Sequence, residues 1–242
     1  MIVLAAGMPR AGSGWHFNLV HDLMKAAGAA ESRGIREQFR LQGILTEVNC
    51  NIGVLSARRL ALLMLPAAAG KTFVIKAHSA PTNAFRLLSV VGILRATYIY
   101  RDPRDAMLSA CEYGRRGLEK GRPNAFSHLT DFETSLVFMN RYVRIWEAWN
   151  REKPVHCLRY EDLLGNYLTQ ARGLADFLGL DVGTADVSAA IEAHHPGQGA
   201  GTVGYHFHRG QVGRFRAAYS DSHQATLMQV FGPALSRMGY AE

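Results

Sequence analysis

The sequence predicts an α/β protein in which a central, mostly parallel β-sheet is flanked by helices. Short apolar runs alternate along the chain with longer segments whose apolar residues recur at helical spacing. This alternation is typical of βαβ units, whose helices cover both faces of a parallel sheet. No internal repeat, linker or low-complexity segment interrupts the 242 residues. We therefore expect a single domain over residues 1–242.

The N-terminal residues predict a strand, a glycine-rich turn and a helix. Residues 1–6 form a short apolar run, and residues 7–15 read Gly-Met-Pro-Arg-Ala-Gly-Ser-Gly-Trp. From Ser13 onward the apolar residues, Phe17 and Val20 among them, recur at helical spacing. A turn of this kind directs backbone N–H groups and the positive end of a helix dipole at one point, which favours an anion such as phosphate.

The next segment is less regular. Residues 29–40 are polar and contain a glycine break, which indicates a loop with a short helical turn. Residues 44–48 are expected to form a second strand. Ser56 is suited to cap a helix at residues 57–65, which Pro66 is expected to end.

The middle of the chain returns to strands and helices in alternation. The β-branched run at residues 72–76 and the apolar run at 96–100 predict strands, with a helix at 84–91 between them. Asp102 is suited to an N-cap position and is followed by proline, which favours the first helical position. This pair predicts a helix at residues 103–113.

The last part of the chain is predicted to be largely helical. The basic, glycine-rich residues 114–124 indicate a mobile surface loop, whereas the apolar residues of 131–150 recur at heptad-like spacing and predict the clearest helix. Residues 195–213 are glycine-rich and almost free of aliphatic side chains, which indicates a functional or disordered loop. The other elements expected here are a strand at 155–158 and helices at 163–178, 187–194 and 220–238.

Charge and composition restrict the class of protein. The formal net charge of +7 favours an anionic partner such as a nucleotide, a nucleic acid or a membrane surface. The arginines are scattered rather than clustered in a basic tail, so we expect no nucleic-acid partner. No apolar run reaches membrane-spanning length, and the three separated cysteines have neither metal nor disulfide spacing. We therefore expect a soluble, cytoplasmic protein.

The first turn resembles a phosphate-binding loop without its magnesium ligand. Gly7 and Gly12 have the spacing of the two glycines in a Walker A loop, G-x-x-x-x-G-K-[ST]. Ser13 occupies the lysine position and Gly14 the position of the magnesium-binding hydroxyl. We expect a loop that holds phosphate without a metal ion. The alternative is a tight strand-to-helix turn that binds nothing.

Three turns that follow predicted strands carry charged or titratable side chains. They lie at residues 7–15, 78–81 and 101–104. Ligands of parallel sheets bind outside the carboxyl ends of the strands, where such turns meet. The side chains that this topology should bring to one edge are Arg10, Lys76, His78 and Arg101.

Several separated stretches, in the same order along the chain, resemble the motifs of sulfotransferases that use 3′-phosphoadenosine 5′-phosphosulfate (PAPS). Residues 9–15, Pro-Arg-Ala-Gly-Ser-Gly-Trp, resemble the family's 5′-phosphosulfate loop, Pro-Lys-Ser-Gly-Thr-Thr-Trp. Lys76 and His78 match the family's Lys-x-His motif after a strand. Arg101 and Ser109 match the arginine and the serine, eight residues apart, of its 3′-phosphate motif.

Two later stretches extend the resemblance over nearly the whole chain. Residues 160–162 match the family's Tyr-Glu-Asp motif. His208, Arg209 and Gly210 correspond to the late Arg-Lys-Gly loop that closes over the 3′-phosphate. The resemblance implies a P-loop-like sulfotransferase fold.

The resemblance also implies a reaction. A sulfuryl group would move in line from PAPS to a hydroxyl or amine of a small-molecule or metabolite acceptor, leaving adenosine 3′,5′-bisphosphate (PAP), with no metal ion. His78 would act as the general base, and Arg10 would stabilise the departing phosphate. Lys76 would either assist the leaving oxygen or only hold the end of its strand. The residues implied to bind the donor are Arg10, Ala11, Gly12, Ser13, Gly14, Trp15, Arg101, Ser109, Tyr160, Arg209 and Gly210. Among them, Trp15 and Tyr160 would pack on or near the adenine.

The chain departs from the family pattern at several of these motif positions. Arg10 replaces the loop lysine, so a planar fork replaces a point donor. Gly14 replaces a threonine, and His208 replaces the arginine of the late loop. Because some branches of the family use a carboxylate base, Glu37, Glu47 and Glu112 remain alternatives to the histidine.

Three other functions remain open from the residues alone. A P-loop kinase of a small hydroxyl substrate shares the expected fold but needs a magnesium ligand after the loop lysine. A nucleotide-binding protein without catalysis needs the phosphate loop and no base. Metal binding by His206 and His208, or by His194 and His195, has no further ligands at suitable spacing. The acceptor and the oligomeric state do not follow from the sequence.

Overall fold

Four parallel strands form the centre of the protein. The computed structural model describes residues 1–196 and 210–240. The strands are β1 (Ile2–Gly7), β2 (Phe73–Ala77), β3 (Leu94–Tyr100) and β4 (Val155–Arg159), and they lie in the order β2-β1-β3-β4. Every pair is parallel, with Ala5 opposite both Lys76 and Thr97. The predicted α/β fold with a parallel sheet is confirmed.

Helices occupy the connections between these strands and the C-terminal part of the chain. In the part of the chain that the structure describes they are α1 (Ser13–Ala26), α2 (Ser32–Gln38), α3 (Ala57–Ala68), α4 (Asn83–Val90), α5 (Pro103–Glu119), α6 (Phe132–Arg151), α7 (Tyr160–Gly165), α8 (Tyr167–Leu178), α9 (Ala185–Ala193), α10 (Phe215–Ala218) and α11 (Asp221–Arg237).

The sheet is buried on both faces by two hydrophobic clusters. Alternate residues of β1 contribute to each: Leu4 belongs to the larger cluster and Val3 to the smaller. The larger cluster contains Trp146 and Trp149 of α6, which are almost fully buried. Burying a large apolar side chain stabilises a fold by about 1.5–3 kcal/mol. The two layers therefore hold the carboxyl ends of the strands at a fixed edge.

The strand expected at residues 44–48 is absent from the described structure, where these residues form turns. Local side-chain hydrogen bonds explain the difference. The Asn51 N–H donates to Thr46 Oγ1 at 2.9 Å, and the Gly53 N–H donates to Asn51 Oδ1 at 2.8 Å. Such bonds compete with ladder pairing. Pairing with β2 is reduced to one isolated bridge, between Asn51 and Lys76.

Several helices differ from the predicted ones in extent. Residues 32–38 form a helix of two turns, whose N-terminus Glu31 caps, where only a short turn was expected. Helix α3 continues through Pro66 to Ala68, because a proline near the last turn removes only one backbone bond. The segment predicted as one helix at 163–178 is two helices, α7 and α8, which meet at Asn166.

Helix α5 also continues six residues beyond the predicted end at 113, so half of the expected loop at 114–124 is helical. Its glycines mark close packing rather than a break. A Cβ atom on Gly114 would lie 2.2 Å from the carbonyl oxygen of Phe126, and one on Gly117 would lie 2.3 Å from Asn124 Nδ2. The predicted N-caps Ser56 and Asp102 are confirmed, since each accepts a backbone N–H of its helix.

Candidate active site

The turn between β1 and α1 is built for close approach. Arg10 and Gly12 adopt left-handed backbone conformations, with φ of 62° and 75°. A Cβ atom on Gly12 would lie 2.7 Å from the Tyr160 ring, and one on Gly7 would lie 2.6 Å from Ile99. Gly12 is the N-cap residue of α1 and has no side chain to accept the first N–H groups of that helix. These N–H groups are therefore available to an anion.

A cavity opens beside this turn, at the carboxyl edge of the sheet. Of the residues predicted to form the site, eleven line it: Arg10, Gly12, Ser13, Gly14, Trp15, Lys76, His78, Arg101, Ser109, Tyr160 and Gly210. Ala11 is fully buried behind the turn. Arg209, with His206 and His208, lies outside the described residues. The topology thus brings most of the separated motifs to one place.

The cavity also has lining residues that the sequence did not single out: Val48, Asn49, Tyr113, Arg116, Phe126, Gln211 and Arg214. The sequence contains part of the information needed to find them. Arg101, Ser109 and Arg116 have a spacing of eight and seven residues, which places them on one face of a helix. The predicted end of α5 at residue 113 hid this pattern. Tyr113 and Phe126 contact each other only through tertiary packing, with ring centroids 5.8 Å apart.

Two cations with lowered pKa values, Lys76 and Arg10, line the cavity. Lys76 is 5% exposed, and burial, with the positive charge of Arg10 nearby, lowers the pKa of its ammonium to about 8. Burial, together with the charges of Arg116 and Arg101, lowers the pKa of Arg10 to about 10. Both shifts show that nearby negative charge does not offset the cost of burying the protonated side chains. A bound anion would supply that negative charge.

The Arg10 side chain is held by neutral partners. Its Nε donates to Ser109 Oγ at 3.3 Å, and its guanidinium lies over the Tyr113 ring at 4.4 Å. The contact with Ser109 joins two residues that the resemblance assigns to different phosphates of the donor.

His78 presents one defined nitrogen as a base. Its Nδ1 lies 2.6 Å from the carbonyl oxygen of Gly7. A carbonyl oxygen only accepts, so Nδ1 carries the proton and Nε2 of the neutral ring holds a lone pair. Burial, and then the charge of Lys76, lowers the pKa of His78 to about 4. The imidazole is therefore neutral near pH 7 and able to accept a proton at Nε2.

Arg101 follows β3 and is fixed from several sides. Its Nη2 donates to the carbonyl oxygen of Gln211 at 2.8 Å and lies 3.5 Å from Asp105 Oδ2. Its guanidinium lies over the Tyr160 ring at 4.7 Å. Its buried Nε has no hydrogen-bond partner among the described residues. An anion in the cavity would provide an acceptor for this N–H group.

Both aromatic residues predicted to lie near adenine are packed within the protein. Trp15 Nε1 donates to the carbonyl oxygen of His194 at 2.9 Å, and the indole stacks on Tyr167 at 5.8 Å. Trp15 and Tyr160 are each 4% exposed. Their role at the base of a nucleotide remains a prediction.

Of the three alternative carboxylates, only Glu112 lines the cavity. It forms an ion pair with Arg214, whose Nη1 donates to Glu112 Oε2 at 3.1 Å. Glu37 is exposed and pairs with Arg36, and Glu47 is exposed.

Residues 1–196 and 210–240 contain no group of three or more histidine, cysteine, aspartate or glutamate side chains that could hold a metal ion. His194 instead contacts Asp22, with Nε2 and Oδ2 2.8 Å apart. Within the same ranges, none of the helices is both long and apolar enough to cross a membrane.

Comparison with known proteins gives a consistent result. A mouse sulfotransferase, SULT7A1, complexed with PAP has a TM-score of 0.63 at 13% identity, covering 97% of this chain and 84% of that chain. Retinol dehydratase in complex with androsterone and inactive cofactor PAP has a TM-score of 0.57 at 17% identity, covering 97% of this chain and 80% of that chain. At these identities the likeness shows the fold alone. No curated protein sequence matches the chain.

A match to a family model assigns the chain to a protein family, and not only to a fold. The model described as "Sulfotransferase domain" matches residues 71–194, slightly more than half of the chain. This range includes Lys76, His78, Arg101, Ser109 and Tyr160. The N-terminal phosphate loop lies before it and joins the same cavity. The chain belongs to the sulfotransferase family.

Proposed function

We propose that this protein transfers the sulfuryl group of PAPS in line to a hydroxyl or amine of a small-molecule acceptor. The observation that carries the proposal is the meeting, in one cavity, of the open N-terminus of α1, the cations Arg10 and Lys76 and the His78 imidazole. PAPS supplies an activated sulfuryl group and, after transfer, an anionic 5′-phosphate. The solved relatives that contain PAP support this choice of donor.

His78 is the proposed general base. In the hydrogen-bonded tautomer, Nδ1–H is held by the Gly7 carbonyl oxygen and Nε2 takes the acceptor proton as the new oxygen–sulfur or nitrogen–sulfur bond forms. The low pKa of the free site makes the ring a weak base. Negative charge bound beside it would raise that pKa, because it offsets both the burial and the charge of Lys76.

The cations and the helix N-terminus serve the donor. Lys76, Arg10 and the N–H groups of residues 12–15 are proposed to stabilise charge that develops on the departing 5′-phosphate. Arg101 and Ser109 are proposed to bind the 3′-phosphate, with residues 209 and 210 closing that subsite. Ala11 supports the turn from behind, and Trp15 and Tyr160 form the side nearest the adenine.

Compartment and domain organisation complete the proposal. We place the activity in the cytoplasm and assign residues 1–242 to one sulfotransferase domain. The cysteines of the described chain are free thiols, which supports a reducing environment.

Calorimetric titration with PAP, and with adenosine 5′-phosphate (AMP) as the matched control, tests the donor site. A charge-assisted hydrogen bond contributes about 1.5–3 kcal/mol, so PAP should bind at least about tenfold more tightly than AMP. Equal affinities would contradict a 3′-phosphate subsite. Transfer of labelled sulfate from PAPS to a panel of small phenols, alcohols and amines then tests the reaction.

A further inference from the structure

A row of charged and polar side chains beside the cavity begins at Arg101, two residues before α5, and continues along one face of that helix. Arg101, Asp105, Ser109, Glu112 and Arg116 are separated by four, four, three and four residues, which is the spacing of a single helical face. Four of the five line the cavity. Asp105 does not, and its carboxylate is 1% exposed.

Asp105 accepts hydrogen bonds from the backbone of a segment that follows the cavity wall at residues 210 and 211. Its Oδ2 accepts the Gly213 N–H at 2.6 Å, and its Oδ1 accepts the Phe215 N–H at 3.0 Å. The same Oδ2 lies 3.5 Å from Arg101 Nη2. Both carboxylate oxygens are thus used by groups of one short segment and by the arginine proposed to bind the 3′-phosphate.

The segment at residues 210–215 is attached to α5 at two further points. Arg101 Nη2 donates to the carbonyl oxygen of Gln211 at 2.8 Å, and Arg214 pairs with Glu112. Gly210, Gln211 and Arg214 line the cavity. The orientation of the Arg101 guanidinium and the position of this cavity wall therefore depend on the same buried carboxylate.

We propose that Asp105 is a positioning residue that holds residues 210–215 against Arg101 and thereby sets the affinity of the site for the 3′-phosphate. The proposal rests on the proposed function, since it assigns that phosphate to Arg101. Asp105 acts through Arg101 and the backbone of the segment. Its carboxylate accepts one backbone N–H group on each oxygen and places negative charge 3.5 Å from Arg101 Nη2, whereas a neutral amide offers a single acceptor oxygen and no charge.

The test is the ratio of PAP affinity to AMP affinity in Asp105→Asn and in the wild type. We expect the ratio to fall by about tenfold, because one of the two backbone N–H groups loses its acceptor and Arg101 loses the neighbouring negative charge, while the 5′-phosphate loop is unchanged. Asp131→Asn is the matched control. Asp131 caps α6 by accepting the Thr134 N–H at 2.7 Å and lies outside the cavity lining, so its ratio should equal that of the wild type.

The outcomes separate the two proposals. A wild-type ratio near one would overturn the 3′-phosphate subsite itself and the role of Asp105 with it. A wild-type preference for PAP that Asp105→Asn retains would overturn only the role of Asp105. Equal losses for both nucleotides would also overturn it, since they indicate general destabilisation.

A measurement on the wild type decides the matter if Asp105→Asn does not fold. Amide hydrogen exchange at Gly213 and Phe215 reports the two bonds that Asp105 accepts. Saturating PAP should slow exchange at both amides by more than saturating AMP does. If PAP and AMP have the same effect on them, the coupling between this segment and the 3′-phosphate is refuted.

Discussion

The buried ammonium of Lys76 predicts that donor binding depends on pH above neutrality. In the free protein the pKa of Lys76 is lowered to about 8, first by burial and then by the charge of Arg10. An anion placed between these cations favours the charged form and raises the pKa of the bound state towards the ordinary value of about 10.5. Binding above pH 8 therefore takes up a proton.

The sign and size of the effect follow from this linkage. The pKa of the complex is above that of the free site, so the affinity contributed by Lys76 is complete below pH 8 and is lost as pH rises. Between the two pKa values the affinity for PAP should fall by about tenfold for each pH unit. The 3′-phosphate and 5′-phosphate of PAP have second pKa values near 6, so their charge is nearly constant in this range. Arg10, with a pKa of about 10, titrates later.

Calorimetry in two buffers of different ionisation enthalpy measures both quantities between pH 7 and 9.5. At pH 9 the wild type should take up close to one proton for each PAP bound, because only about a tenth of Lys76 is protonated in the free site. Lys76→Met is the matched control: its affinity should be low at pH 7 and nearly independent of pH up to 9. If the wild type takes up no proton at pH 9, or if Lys76→Met retains the wild-type slope, the reasoning is refuted.

Lys76→Met should weaken PAP binding, but it should stabilise the folded protein in the absence of ligand. A pKa lowered from 10.5 to about 8 means that charged Lys76 destabilises the free folded protein by about 3 kcal/mol at pH 7, and this cost disappears as pH rises from 8 to 10.5. Replacing a poorly compensated buried charge by an apolar side chain of similar length should raise the melting temperature of the free protein. A lower melting temperature at pH 7 would show that the ammonium is well compensated.

Three other changes test the remaining parts of the proposed site. His78→Ala should reduce transfer by about 10²–10⁴-fold or more and leave PAP affinity nearly intact; turnover close to wild type in the radiolabel assay would point to a carboxylate base. Arg101→Ala should weaken PAP by about 10–100-fold more than AMP, as a lost charge-assisted bond implies, and equal losses in titration would move the 3′-phosphate elsewhere. Transfer from PAPS should persist in excess EDTA, because Ser13 and Gly14 replace the lysine and the hydroxyl that serve magnesium nucleotides; magnesium-dependent phosphoryl transfer from ATP would instead indicate a kinase.

The parallel sheet was predictable because each strand is a short apolar run with its own local signal. The strand expected at 44–48 failed for a reason that the pattern does not contain. Thr46 and Asn51 satisfy backbone groups locally, and this leaves a single bridge to β2. The glycines of α5 caused the opposite error, because they indicated a loop where the chain is helical. Gly114 is required because the backbone of Phe126 packs closely against it, and not because the chain turns there. Both errors concern competition between local and tertiary contacts.

The site was predictable to the extent that its residues follow strands. Arg10, His78 and Arg101 each lie just after a strand, and a parallel sheet brings such positions to one edge. Tyr113 and Phe126 join the cavity through the length of α5 and the packing of the segment after it. No local pattern encodes such a contact, so these two residues could be found only from the structure.

The distribution of charge around the cavity explains why the free site holds poorly compensated cations. Asp105 lies behind Arg101 and is occupied by two backbone N–H groups. Glu112 is paired with Arg214, and the contacts of Arg10 with Ser109 and Tyr113 are made with neutral groups. These carboxylates therefore contact Arg101 and Arg214, and the pKa values of Arg10 and Lys76 remain lowered. A site of this kind is preorganised for a ligand with several negative charges, because the cations and N–H groups already stand where the anion must be stabilised.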